Sequence, residues 1–161
     1  MRYRMREKIW SLGDRFTIQD ADGRDVFAVH GKVFSWGDKL SFQDMEGREV
    51  AYIEQKLLSW KPRYEVYRDG APFAEVVKEF TFLRDRYTVD VPGPNDYTVK
   101  GDFWEHEYTF ERGGATVARV SKKLWSWTHD YGIDVVDGED DVAILATCVV
   151  IDLVNHDQHE H

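Results

Sequence analysis

Laid on itself at an offset of 24 residues, the chain aligns Lys8, Ser11, Gly13, Asp14, Arg15 and Phe16 with Lys32, Ser35, Gly37, Asp38, Lys39 and Leu40. The match runs on, superposing Ile18, Asp20, Gly23, Arg24, Val26 and Val29 on Phe42, Asp44, Gly47, Arg48, Val50 and Ile53. A third copy, at an offset of 91, pairs Gly23, Val26, Val29, Lys32, Ser35 and Trp36 with Gly114, Val117, Val120, Lys123, Ser126 and Trp127. Each unit reads as strand, turn, strand. Residues 16–20 alternate, Asp20-Ala21-Asp22-Gly23 tolerates positive φ, and 25–34 is rich in β-formers. Val26 and Val29 are three apart, which strict alternation cannot place on one face, so a β-bulge is expected between them.

Extended along the chain, this pattern predicts twelve short strands, at 4–11, 15–20, 25–34, 39–43, 49–58, 63–68, 72–80, 86–91, 96–103, 107–111, 115–125 and 129–136. The character changes at 142–154, which is apolar on every side and preceded by the acidic Asp137-Gly138-Glu139-Asp140-Asp141. A thirteenth strand competes, but the length of the run and its acidic start favour a helix. A helix apolar all round must be enclosed. Eight strands close a barrel around its own side chains, whereas about eleven or twelve leave room for an axial helix about 10 Å across. The expected fold is therefore all-β with one helix: a closed antiparallel barrel around a buried C-terminal helix. One domain is expected over 1–155, followed by a polar, His-containing tail at 156–161 read as a disordered end.

These residues resemble the LURP-one-related proteins, which share the tubby-like fold with tubby C-terminal domains and phospholipid scramblases. The likeness rests on 5–18 (MREKIWSLGDRFTI), 55–66 (QKLLSWKPRYEV), 99–104 (VKGDFW) and 146–152, and covers nearly the whole chain. It implies a twelve-stranded barrel around a hydrophobic C-terminal helix, in agreement with the strand count. It carries no ligand-binding residue over to this chain.

Several function classes are disfavoured. The formal charge of -9 argues against general nucleic-acid binding. No Gly-x-Gly-x-x-Gly, Cys/His zinc spacing or EF-hand loop is present, so no cofactor or metal is expected. His129-Asp130 occurs without a Gly-x-Ser-x-Gly elbow, and a non-enzymatic protein is the expectation. The lone Cys148, in the apolar run, points to a reducing, cytoplasmic setting. The basic start gives way to Trp10, Gly13 and Asp14 instead of a continuous apolar stretch, so neither a signal peptide nor a transmembrane segment is expected.

Simple hairpins sort their turns alternately to the two barrel ends. One end gathers Gly23, Gly47, Gly70, Gly113 and the acidic entry to the helix; the other gathers Trp36, Trp60, Lys61, Arg63, Arg84, Arg86, Trp104 and Trp127. This aromatic, partly basic rim is the candidate binding surface, for an anionic phospholipid or membrane surface or, alternatively, a protein partner. The ordinary burial of large aromatics favours the plainer reading, that the tryptophans close the mouth. Arg2, Arg4, Arg6 and Lys8 alternate and are read as a solvated strand face balanced by carboxylates.

Overall fold

The computed structural model describes residues 1–32, 37–81, 84–124 and 129–160, with backbone alone at Lys32, His159 and Glu160. Twelve antiparallel strands close into one barrel: β1 (Arg2–Arg6), β2 (Arg15–Asp20), β3 (Asp25–Lys32), β4 (Lys39–Asp44), β5 (Glu49–Gln55), β6 (Arg63–Arg68), β7 (Ala71–Glu79), β8 (Arg86–Asp90), β9 (Tyr97–Asp102), β10 (Glu107–Arg112), β11 (Ala115–Ser121) and β12 (Asp130–Val135). Every strand pairs with its neighbours in sequence, and β1 closes the ring against both β2 and β12. The one α-helix among the described residues, α1 (Asp141–Glu160), has thirteen consecutive buried residues, from Ala143 to Asn155.

Inward positions come from strand alternation. Leu40 and Phe42, Ala51 and Ile53, Tyr64 and Val66, Tyr87 and Val89, Tyr108 and Phe110, and Tyr131 and Ile133 line successive staves and meet α1. A polar helix surface would leave these rings facing unsatisfied groups; an apolar one fills the lumen.

The bulge expected in the repeat is present, with Val26 as the extra residue: Ile18 pairs with Phe27 and Gln19 with Asp25. The same skip falls on Val50 opposite Phe42/Gln43, and on Val117 opposite Phe110/Glu111. A fourth, on Phe73 opposite Val66/Tyr67, sits in a hairpin whose sequence has diverged from the repeat. In each case the bulged residue lies three after a turn glycine and packs on or into the core. Four such bulges supply local bending for closure. Two of the turns are built alike: Asp20 accepts from the Asp22 and Arg24 amides, and Asp44 from those of Glu46 and Arg48. These bonds hold both carboxyls below their ordinary pKa.

Four expected boundaries shift, one of them the end of the fifth strand, read to 58 and found at Gln55. The first strand, read at 4–11, is Arg2–Arg6, because Lys8 turns left-handed (φ 53) and the chain enters a 3-10 turn at Ile9–Leu12. The eleventh, read to 125, ends at Ser121 in a second 3-10 turn, Lys122–Leu124. The residues read as a tail are helical as far as Glu160, with His156 stacked on Trp10 at 4.6 Å between ring centroids.

Both ends of α1 are fastened to the wall. At its start the Asp140 carboxylate caps the Ala143 amide (3.1 Å) and receives both guanidinium nitrogens of Arg68 (3.0 and 3.1 Å). Glu139 takes a matching fork from Arg112 (3.0 and 2.7 Å), and the Tyr3 hydroxyl donates to Asp141. Hence most of the acidic entry that gives the sequence its start signal is neutralised by the barrel.

Candidate binding rim

The connections sort to two ends as hairpin logic requires, and α1 enters from the acidic end and delivers its last turns to the other. That second end carries the β1–β2, β5–β6, β7–β8 and β9–β10 connections, and the residues around its mouth fall into a buried polar layer and an exposed apolar crest.

The buried layer is organised by Asp152, which is fully enclosed. His106 Nε2 lies 2.9 Å from Asp152 Oδ1, and the Tyr131 hydroxyl donates to Oδ2 at 2.6 Å. The imidazole also stacks on the Tyr131 ring, with centroids 4.3 Å apart. Its other nitrogen, Nδ1, faces Glu7 at 3.8 Å, and Glu7 is held by Lys122 Nζ at 2.5 Å. Burial alone would depress the imidazole pKa, but the Asp152 hydrogen bond and the charges of Asp152 and Glu7 outweigh it and raise it. Burial likewise opposes ionisation of Glu7, yet Lys122 chiefly, with the two histidines, lowers its pKa. Next in the layer, Asn155 donates to the Phe103 carbonyl (3.0 Å) and Lys78 to Gln158 Oε1 (2.5 Å). Through these contacts the end of α1 is tied to the β9–β10 connection and to β7 and β12.

The crest lies outside this layer. In the β5–β6 connection Leu58 is 106% exposed, Trp60 83% and Leu57 56%. Phe80 and Trp104, on the next two connections around the mouth, are 49% and 52% exposed. The expectation that the tryptophans close the barrel is therefore corrected for Trp60 and Trp104: Ile9, Phe103 and α1 fill the mouth, leaving the indoles no core to enter. Trp36 and Trp127 lie outside the described residues.

The four candidate cations divide into two pairs. Lys61 Nζ reaches Glu79 at 2.7 Å and lies 5.4 Å from the Trp60 ring centroid, while Arg63 bonds to Glu75 and donates to Ser59 Oγ at 3.3 Å. Both are thus matched to carboxylates on β7. Arg84 and Arg86 are exposed and make no ion pair with any described residue. The other basic stripe behaves as a balanced strand face: Arg2 pairs with Asp134 at 3.3 Å, and Arg4 and Arg6 with Asp130 at 2.7 and 3.9 Å. The Asp130 carboxylate beside His129 is thereby occupied by arginines.

The sequence reading missed the His106–Asp152–Tyr131 set. Its members are 46 and 21 residues apart and share no motif, so the one available signal was an acid inside an otherwise apolar helix. Among the described residues, no helix is long and apolar enough to cross a membrane, and no group of three His, Cys, Asp or Glu residues is placed to hold a metal ion.

Comparison with known proteins agrees with this architecture. A protein of Arabidopsis thaliana solved by X-ray diffraction superposes with a TM-score of 0.66 at 22% identity, over 97% of this chain and 90% of that one. The uncharacterized protein YxjI of Bacillus subtilis is 35% identical over 156 residues, covering 97% of this chain and 94% of that protein. The LURP-one-related family model matches residues 1–152. By sequence across its length and by its helix-filled barrel, the chain belongs to the LURP-one-related family.

Proposed function

We propose that this protein is a non-enzymatic binding module that docks its helix-tail end on anionic phospholipid surfaces. The observation that carries this reading is the β5–β6 connection, where Leu57, Leu58 and Trp60 project into solvent. Large apolar side chains on a loop tip cost solubility unless something covers them, and a Trp with Leu neighbours suits the interfacial zone of a bilayer. Arg84 and Arg86 stand at the same end without carboxylate partners among the described residues, so they supply attraction that Lys61 and Arg63 cannot. The overall charge of -9 would oppose approach to an acidic membrane from most directions and favours docking by this end.

Flotation with phosphatidylcholine vesicles, with and without phosphatidylserine, tests the reading. The wild type is expected to float with the acidic vesicles alone. Leu58→Asp with Trp60→Asp, or Arg84→Glu with Arg86→Glu, should reduce the bound fraction at least about fivefold, since each cation near the surface contributes about 1 kcal/mol. Lys61→Gln with Arg63→Gln should change it little. If the wild type ignores acidic vesicles, lipid docking is wrong, and a stable co-purifying protein or a concentration-dependent oligomer would favour the protein-partner reading.

A further inference from the structure

A groove runs along the rim on either side of Arg84. One side is a cavity of about 520 Å³ whose lining includes Lys78, Asp102, Asn155 and Gln158; the other, of about 450 Å³, includes Thr81, Arg86 and Lys100, and Asp85 and Gly101 border both. Four cations and two carboxylates therefore converge on one groove of a protein whose net charge is -9. We propose that this groove is a binding site for a phosphate-bearing anion, contacted by Lys78, Arg84, Arg86 and Lys100.

Two independent features point to an anionic occupant. The first is Lys78, whose side chain is 7% exposed yet lines the cavity, held by the neutral Gln158 amide and, at 3.6 Å, by Asp85. Desolvation lowers its pKa, with Asp85 only partly compensating. A buried ammonium with Asp85 as its one carboxylate partner among the described residues, and otherwise Gln158 and the Phe80 and Tyr87 rings (5.6 and 5.9 Å to the centroids), gains more from a new anion than a solvated lysine does. The second is the pairing of Arg86 directly opposite Lys100 across β8 and β9. Like charges facing one another across strands are unfavourable; Glu111 pairs with the lysine at 3.3 Å, while Glu79, which faces Arg86 on its other side from β7, bonds Lys61 instead. An anion between them would relieve both, and the guanidinium forks of Arg84 and Arg86, which make no ion pair with any described residue, match the geometry of phosphate oxygens. Gly101 allows β9 and β10 to approach closely, since a Cβ there would lie 2.4 Å from the Glu107 carbonyl.

A dissolved phosphate and a lipid headgroup offer the same chemistry, and the lipid form of this proposal rests on the membrane reading above. Two titrations separate the sources. In the first, inorganic phosphate is added to ¹⁵N-labelled protein while the Gly101 and Lys100 amides are followed. In the second, vesicles carry phosphatidic acid or phosphatidylserine at matched charge. Saturable shifts at those amides and preferential binding to phosphatidic acid are expected. Arg84→Gln with Arg86→Gln, and separately Lys78→Met, should each weaken phosphate binding at least about tenfold, since each removes a charge-assisted contact to the anion. Lys61→Gln with Arg63→Gln should leave it unchanged. Saturable phosphate binding without any vesicle binding would support the groove and remove the membrane reading. Equal binding to both lipids, with no saturable phosphate shift, would overturn the groove and leave the membrane reading standing.

Discussion

Val149→Asp is expected to leave no cooperatively folded barrel. Val149 is fully buried on α1, where the surrounding wall offers Tyr and aliphatic side chains. An unpaired carboxylate there has no water, and the wall cannot rearrange without opening the ring. The cost exceeds about 4–5 kcal/mol, the range of the most damaging single substitutions, against a total stability of about 5–15 kcal/mol for a domain of ordinary stability. Near-ultraviolet circular dichroism and a urea titration read the result: loss of the aromatic signal and of a single transition. Ile151→Val, at a neighbouring enclosed position, is the matched control and should lower stability by only about 0.5–1.5 kcal/mol. A cooperative Val149→Asp barrel would mean that α1 is not the packed axis of the fold.

His106→Ala should cost about 3–5 kcal/mol, because it strands the enclosed Asp152 carboxylate with Tyr131 as its one remaining side-chain hydrogen-bond partner among the described residues and removes the imidazole that turns toward Glu7. Replacing the set together, with His106→Leu, Asp152→Leu and Tyr131→Phe, removes every member that would be left unsatisfied. It is expected to lie much nearer the wild type than the single variant does, a non-additivity that denaturant midpoints measure. The pH dependence follows from the same contacts. His106 has a raised pKa in the folded protein, so the stability it contributes is complete below its unfolded value of about 6.5 and is lost as pH rises through the folded value. Glu7 has the opposite sign: its lowered pKa gives stability present above the unfolded value of about 4.3 and lost as pH falls through the folded one. The melting temperature should therefore decline from mildly acidic to mildly alkaline pH in the wild type, and that decline should be absent from the triple variant. An unchanged slope would remove His106 as its source.

The fold was legible because its information is local and repeated. Asp20-to-Gly23 and Asp44-to-Gly47 spell their turns in short-range hydrogen bonds, and the three-residue spacing of Val26 and Val29 exposes the bulge without reference to any distant residue. The helix was legible for a related reason, since an uninterrupted apolar run with an acidic entry is incompatible with alternation. The Phe73 bulge was harder to see, because Pro72 and Phe73 replace the residues that mark it in the other copies. The end of the first strand turned on Lys8, a non-glycine residue in a left-handed conformation that propensity does not favour.

The site was legible only in part. Chain order placed the Trp- and Arg-bearing connections at one end, and the structure brings Trp60, Lys61, Arg63, Arg84, Arg86 and Trp104 to that end. Hydropathy could not decide whether an indole on a connection folds over the mouth or away from it. Ile9 and Phe103, less conspicuous in the sequence, occupy the space assigned to the tryptophans. Nor could composition separate Lys61 and Arg63, matched by β7 carboxylates, from Arg84 and Arg86, because Glu79 faces Arg86 across β7 and β8 yet bonds Lys61, a choice between two cations that only the side-chain geometry makes.

The orientation of the barrel on a bilayer can be read with two spin labels. Cys148 is fully buried, and burial pushes its thiol pKa up, so it will not compete for the reagent. Cysteines introduced at Leu58 and at Met45, exposed positions on opposite ends, can then be labelled singly and their depth measured by power saturation with oxygen and a water-soluble relaxant on phosphatidylserine-containing vesicles. Docking by the helix-tail end predicts the label at 58 within the interfacial zone and the label at 45 in water. Both labels in water, on vesicles that retain the protein, would contradict it.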